Sequence, residues 1–355
     1  MNFKSGPAPK APQSLTGQAT TALLRRAVED NPDEPKQLPG WALLVLLANF
    51  VVFLPFVIYL SYTLGQLFPV LAIVENTNPP AYEPVALNEE ADNPDGTPKN
   101  DAGKPISSSL RALNRLLYSV GGWRSSFRGL GAYVAYTFAV SIVAGIFTAI
   151  PFVPAFVGTL LASLALVQLA AAWVHIAISP PNAARFWKRL PPFRKAFEAT
   201  WIPTVVSWAA GTAVGYLPVL TALIVKLPLP DREHPNEVPE YDRHAFWKVL
   251  IILLVTLVAW ALVIVPTEVL LIRVQASLLP PDEDSIIPFD RTYDGTLEPA
   301  VVGKGYVSWK DALNTFPRAS WVRIYILHAK IFAAVLVAYG VMMAVFVPQA
   351  LLFKL

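Results

Sequence analysis

Six long apolar segments constrain the fold of this chain more than any other feature of its sequence. They cover residues 41–66, 129–150, 155–178, 201–227, 247–272 and 325–347. An α-helix needs about 20 apolar residues to cross the hydrocarbon core of a bilayer, and each of these segments is long enough to do so. The sequence therefore predicts an all-α, polytopic membrane protein in which residues 41–355 form a six-helix membrane domain.

Composition agrees with a membrane location and argues against catalysis. Of the 355 residues, 54% are hydrophobic and 15% charged, whereas soluble domains carry about 25% charged residues. The absence of cysteine excludes disulfides, thiol catalysis and cysteine-bound metals. No phosphate-binding glycine loop, pair of carboxylates within an apolar segment or nucleophile elbow occurs. We therefore expect no enzyme activity, no metal site and no cofactor.

Two polar segments lie outside the apolar runs. Residues 1–40 are predicted to form a flexible N-terminal tail. Its first 28 residues contain basic side chains but no Asp or Glu, which is typical of a mitochondrial presequence; a disordered cytosolic tail has the same composition. Residues 76–107 contain an acidic patch among Asn-Pro and Asp-Gly turn signals, and this predicts a disordered acidic loop.

The distribution of basic residues predicts the orientation of the chain in its membrane. Loops that follow odd-numbered spans, with their flanks, hold 17 Lys and Arg residues, and the segments on the opposite side hold 10. Basic loops face the cytosol or the mitochondrial matrix by the positive-inside rule. We therefore expect these three loops on that side and both termini on the other.

Each basic loop contains an amphipathic stretch, which suggests a threefold pseudo-repeat. Leucines recur at helical spacing in 110–117 with Arg111 and Arg115 on the other face, a pattern that favours a short interfacial helix. The tripeptide Ala-Leu-Asn occurs at 112–114 and again at 312–314. The odd-numbered spans begin near residues 41, 155 and 247. We interpret the chain as three units, each with a bent helix, a surface helix and a second helix.

The middle basic loop interleaves cations with aromatic side chains. Such a pattern is typical of a membrane interface beside anionic headgroups. A nucleic-acid site is not expected, because the basic stretch is short and lies between two spans. The interfacial basic residues predicted here are Arg185, Lys188, Arg189, Arg194 and Lys195.

The fifth apolar segment ends in the most specific cluster of the sequence. Pro266 predicts a kink, because proline lacks a backbone donor. A carboxylate at membrane depth is costly, so Glu268 is expected to be paired, hydrated or functional. With Arg273 and Gln275 it is a candidate gate or relay that faces a cavity. Alternatively, Glu268 reaches headgroup water at the helix end while Arg273 snorkels.

Two further polar residues stand near the start of the sixth segment. His328 and Lys330 are candidates for contact with a substrate. Snorkelling towards the membrane surface is the alternative for both side chains.

These features together resemble the mitochondrial solute carrier family. That family has a Pro-x-acid-x-x-base-x-base-x-Gln motif at the end of each odd-numbered helix, and Pro266, Glu268, Arg273 and Gln275 stand at its offsets. Leu271 stands where the third copy of the motif should have its first base, and Leu71 stands where the first copy should have its acid. The resemblance implies three repeats, six spans, matrix-side surface helices and a central cavity closed by ion pairs. The chain would be a degenerate member.

The residues and the resemblance lead to two functional hypotheses. The first is carrier-like transport of a small solute across a mitochondrial membrane. The second is a structural or adaptor protein of the endoplasmic reticulum or another organelle, which holds lipids or partners through its basic interfacial helices. Membrane lipids are expected partners in both cases. The sequence indicates no particular protein partner.

Overall fold

The computed structural model describes residues 40–76, 105–182, 186–229, 243–293, 295–297 and 303–353. Within these ranges the chain is all-α and has no β-strand, as predicted. The predicted N-terminal tail, apart from Gly40, and most of the predicted acidic loop lie outside the described residues.

The α-helices of the described ranges are numbered here in chain order. They are α1 (Gly40–Ile58), α2 (Phe68–Val74), α3 (Leu110–Gly121), α4 (Leu130–Thr148), α5 (Ala155–Ala165), α6 (Val167–Ile178), α7 (Phe193–Ile224), α8 (Ala245–Ala259), α9 (Val265–Ser277), α10 (Trp309–Asn314) and α11 (Arg318–Phe353). Two π-helical segments, Tyr59–Leu67 and Trp260–Ile264, join α1 to α2 and α8 to α9.

These helices make six spans, and the chain is an integral membrane protein. Five of the described helices are long and apolar enough to cross a bilayer, and the bent pair α5–α6 makes a sixth span. The first span (α1–α2) continues to Val74, eight residues beyond the predicted end at residue 66. The fourth span (α7) and the sixth (α11) each begin about two turns earlier than predicted. The apolar segments of the sequence did not reveal these ends of the spans, because the ends are buried in protein or carry charged side chains.

Residue contacts divide the chain into two units. The smaller unit comprises the start of the first span, up to Phe53, and the end of the sixth span, from Ala344. In it Asn49 donates a hydrogen bond to Gln349, and the rings of Phe53 and Phe346 lie 5.2 Å apart. The larger unit, Leu54–Met343, contains everything described below.

Each odd-numbered span is irregular before its last segment. Proline clashes with the carbonyl four residues earlier in a regular helix, and the π-helical turns before Pro69 and Pro266 widen the backbone at that point. The helix therefore passes Pro266 without ending, and the predicted kink takes the form of a π-helical turn. The third span has no proline there and bends by 59° at Leu166. Its irregularity therefore lies well before Pro180 and Pro181, which follow the end of the span.

Within the larger unit the six spans form a closed ring. The second to fifth spans contact one another in chain order, and the ring of Tyr62 in the first span lies 5.4 Å from that of Tyr133 in the second. Tyr325 of the sixth span donates to the carbonyl of Ala261 in the fifth at 3.1 Å. Arg323 of the sixth span binds Glu75, which follows the first span, at 3.0 Å. Each span therefore has the preceding and the following span as neighbours.

The last segments of the three odd-numbered spans converge inside this ring. Helices α2, α6 and α9 contact one another pairwise. All seven residues of α2 are buried, and all of them except Pro69 form one apolar core with Val174, Ile178 and Val269. This convergence closes the ring at the end that carries the three basic loops, which is called the basic end below.

The predicted amphipathic helix in the first basic loop is present as α3. Leu113 and Leu117 are fully buried, whereas Arg111 and Arg115 are exposed. The periodicity of the leucines thus identified both the helix and its buried face. Its last-repeat counterpart, α10, is shorter and stops before Pro317.

The hairpin between the second and third spans depends on a close approach at Gly158. A Cβ at this position would lie 2.5 Å from the hydroxyl of Thr148 and 3.1 Å from the carbonyl of Ala144. We expect Gly158→Ala to destabilise the protein by about 1–3 kcal/mol through overpacking. Thermal unfolding in detergent measures the effect. Gly145→Ala is the matched control, because its Cβ would meet nothing within 4 Å; equal stability of the two variants would contradict this prediction.

Candidate functional site

The basic end of the ring buries the ends of three helices, so their last carbonyl groups need hydrogen-bond donors from elsewhere. At the first span this donor is Arg323, which lies at the start of the sixth span. Its guanidinium donates to the carbonyls of Ala72 and Glu75, both at 3.1 Å. A cation at a helix C-terminus also complements the helix dipole.

The third span is capped in the same way by Arg128, which stands just before α4. Its side chain donates to the carbonyls of Ile176, at 3.3 Å, and Ser179. These two carbonyls occupy the same positions relative to the helix end as those bound by Arg323. In both spans they belong to the residue two positions before the last helical residue and to the first residue after the helix. Two of the three units therefore share a capping arginine on an even-numbered span.

The fifth span uses neutral donors for the same purpose. Nε2 of His175 lies 2.9 Å from the carbonyl of Gln275, and the hydroxyl of Tyr293 donates to the carbonyl of Arg273 at 2.9 Å. His175 is 1% exposed, so this bond satisfies a polar group that would otherwise be costly to bury. The third unit thus closes its helix end without an arginine.

Glu75 joins several segments at the basic end through an ion pair and hydrogen bonds, a role that the sequence did not indicate. Its buried carboxylate pairs with Arg323 and accepts hydrogen bonds from the backbone N–H groups of Ile106 and Ser107 and from the Ser107 hydroxyl. Glu75 directly follows the first span and stands next to the predicted acidic loop, so it was read as part of that loop. Its position as the first acidic residue after a span was the sequence feature that could have indicated its role.

Arg273 and Gln275, predicted as gate residues, lie in the packed part of the basic end. The guanidinium of Arg273 stacks on the rings of Tyr293 and Phe316, at 4.4 and 5.0 Å, and donates to Thr315 at 2.8 Å. Gln275 is 3% exposed. The structure shows no ion pair between Arg273 and Glu268 among the described residues, which agrees with their separation around the helix.

Glu268 lies in α9, two residues after Pro266, and it interacts electrostatically with Tyr133 in the second span. Glu268 is partly exposed, and it has no hydrogen-bond or ion-pair partner among the described residues.

The two candidates of the sixth span lie apart from Glu268. His328 is 9% exposed, and its ring packs edge-on against Trp260 with centroids 5.1 Å apart. Lys330 is exposed and donates to the carbonyl of Ser108 at 2.7 Å. Lys330 therefore ties the sixth span to the first basic loop.

The predicted interfacial basic residues divide into different environments. Arg185 lies outside the described residues, and Lys188 and Arg194 are exposed. Arg194 pairs with Glu198 on the surface at 2.9 Å. Lys195 is partly buried beside the cavity described below.

Arg189 corrects the prediction of a basic side chain at the membrane surface. Its side chain is 7% exposed and forms an ion pair with Glu283. Although burial of its carboxylate acts in the opposite direction, the hydrogen bonds from Arg189 and Ser179 lower the pKa of Glu283. The pair joins the second and third basic loops, a contact between distant residues that spacing could not reveal.

A cavity of about 570 Å³ lies beside this ion pair. Its walls combine Lys188, Lys195 and Arg291 with apolar side chains such as Leu278 and Leu297. Its volume is within the usual range for a small-molecule site, about 300–1,000 Å³. The cavity can therefore accept a group that carries both negative charge and apolar surface.

Comparison of the chain with protein-family models, curated proteins and solved structures found no match. The resemblance to solute carriers therefore stays a prediction that rests on the residues quoted above.

The Glu75–Arg323 pair generates a prediction on stability. We expect Arg323→Met to cost about 3–5 kcal/mol, because it leaves the Glu75 carboxylate buried without its cation and two helix-end carbonyls without a donor. Arg194→Met removes an exposed pair and should cost at most about 1 kcal/mol. Unfolding of both variants in the same detergent compares them. A cost for Arg323→Met no larger than for Arg194→Met would contradict a structural role for the pair.

Proposed function

We propose that this chain is a carrier-like membrane protein that moves a small solute through the interior of its ring of six spans. The observation that carries this proposal is the partly exposed carboxylate of Glu268 in the fifth span, which has no ion-pair partner among the described residues. An unpaired carboxylate at membrane depth costs several kcal/mol, so a purely structural role gives no reason to keep it. Contact with a polar solute or with water in a translocation path gives one.

The architecture at the basic end supports the same proposal. Three irregular helices converge there, and π-helical turns or a bend precede each converging segment. Irregular turns of this kind let the end of a helix move relative to the rest. The converging segments would act as the gate, with Glu268 about one turn beyond the irregular segment of the fifth span. The predicted gate role of Arg273 and Gln275 would then consist in holding this end closed.

A mitochondrial membrane is the proposed location, on the strength of the acid-free and basic first 28 residues. Residues 1–40 fused to a fluorescent reporter should carry it into mitochondria. A variant in which Arg25 and Arg26 are replaced by Glu should fail to do so and serves as the control. A reporter that stays in the cytosol or reaches the endoplasmic reticulum would contradict a mitochondrial presequence.

The alternative function is that of a structural or adaptor protein that holds lipids or partners and transports nothing. The cavity beside Arg189 favours it, because cationic and apolar walls suit the head and chains of an anionic lipid. Under this hypothesis the protein would bind anionic lipid and leave vesicles impermeable to solutes. The two functions therefore differ in a measurable flux.

Glu268 provides the test of transport. The purified chain in liposomes should take up solutes from a panel of labelled metabolites, and Glu268→Gln should lower the rate by about tenfold or more, because the charge that contacts the solute is lost. Glu198→Gln is the matched control, since Glu198 lies on the exposed surface of the fourth span. Unchanged flux in Glu268→Gln would refute the role of Glu268, and no flux with any solute would favour the adaptor.

A further inference from the structure

The cavity beside the Arg189–Glu283 ion pair carries more positive charge than the described residues neutralise. Four cationic side chains line it, together with the single carboxylate of Glu283. Arg189 already forms an ion pair with that carboxylate. The other three cations have no ion-pair partner among the described residues; they are Lys188, Lys195 and Arg291.

These three cations come from separate segments of the chain. Lys188 belongs to the second basic loop, and Lys195 lies in the first turn of α7. Arg291 belongs to the third basic loop, where its guanidinium donates to the carbonyl of Pro280 at 2.5 Å. Like charges repel more strongly beside apolar walls than in water, because the effective dielectric constant is lower there. An anion in the cavity would offset this repulsion.

Most of the remaining wall is apolar, which limits the kind of anion that fits. A small inorganic anion would leave this wall in contact with water, whereas a hydrocarbon chain would displace the water and gain from burial. A whole diacyl phospholipid is larger than the cavity of about 570 Å³ and could enter only in part, whereas one acyl chain can be contained. The apolar side chains of the wall include Leu190, Leu278, Leu279, Phe289 and Leu297.

The cavity also reaches the helix ends that close the basic end. Ala276 and Ser277, the last two residues of α9, line it together with His175 of α6. The Nε2 atom of His175 lies 2.9 Å from the carbonyl of Gln275, so this wall includes the contact between the two helix ends. A ligand that fills the cavity would therefore touch two basic loops and two converging helices together.

We propose that this cavity binds a single-chain amphiphilic anion, with a carboxylate or phosphate head group on one hydrocarbon chain, and that the ligand stabilises the closed basic end. Lys188, Lys195 and Arg291 bind the head group, and the leucine-rich wall covers the chain. The inference goes beyond the proposed transport and does not depend on it, because Glu268 does not line the cavity. It also differs from the adaptor hypothesis, in which the ligand is a membrane lipid.

The test measures thermal unfolding of the full-length chain in nanodiscs of phosphatidylcholine, which has no net charge. Laurate, dodecyl phosphate and dodecyltrimethylammonium have the same chain length and differ in the charge of the head group. We expect the two anions to raise the unfolding temperature by about 2–5 °C near saturation, and the cation to leave it unchanged or lower it. Inorganic phosphate should raise it less than dodecyl phosphate does, because it has no chain to bury.

Two variants assign the effect to the cavity. Replacing both Lys188 and Lys195 by Gln should weaken binding of laurate and dodecyl phosphate by about tenfold or more, because two charges that bind the head group are lost. Arg194→Gln is the matched control, since Arg194 is the neighbour of Lys195 but does not line the cavity. This control should keep the response of the unmodified chain. If the double variant does not fold, the comparison of anions with the cation in the unmodified chain still decides.

Each outcome supports or overturns the inference. A rise with both anions, absent with the cation and lost in the double variant, supports it. Equal shifts with anions and cation, or shifts that a folded double variant retains, overturn it, because insertion into the bilayer would then explain them. Inorganic phosphate as effective as dodecyl phosphate overturns the assignment of a chain. A rise with phosphatidic acid in the nanodisc but with neither single-chain anion overturns the inference and favours the adaptor hypothesis.

Discussion

The need to satisfy the buried ends of three helices is the constraint on which this structure depends. A helix that ends in water loses nothing, since water replaces the missing partners of its last carbonyls. Here α2, α6 and α9 end against one another in an apolar core, so each terminal carbonyl must find a protein donor or incur a desolvation cost. Arg323, Arg128 and His175 supply these donors, and each comes from another span or from the loop beside one. The closed end is therefore stable only when the ring is complete.

The threefold pseudo-repeat is clearer in this hydrogen bonding than in the sequence. The tripeptide at 112–114 and 312–314 marks two surface helices, but it says nothing about how the spans meet. Arg128 and Arg323 each bind a pair of carbonyls at matching positions of an odd-numbered span. The fifth span departs from the pattern, because His175 and Tyr293 serve there. Equivalent backbone geometry can thus survive while the side chains that stabilise it change.

The sequence predicted features that repeat along a single helix, but it did not predict interactions between residues that are distant in the chain. Apolar length identified the six spans, and leucine spacing identified α3 and its buried face. Pro266 located an irregularity in the fifth span, but the bend at Leu166 has no proline or glycine to signal it. The ion pairs Glu75–Arg323 and Arg189–Glu283 join residues 248 and 94 positions apart. Nothing in local spacing could predict them, and so Arg189 was expected at the membrane surface.

Two carboxylates of this chain show how a structural acid differs from a candidate functional one. Glu75 is 4% exposed and accepts hydrogen bonds from an arginine, two backbone N–H groups and a hydroxyl, so its charge is compensated entirely within the protein. Glu268 is partly exposed and has no such donors among the described residues. Among the described residues the fold pairs Glu75 with Arg323 and Glu283 with Arg189, and Glu268 receives no such partner. The transport proposal gives Glu268 a partner outside the chain, since the described residues provide it with none.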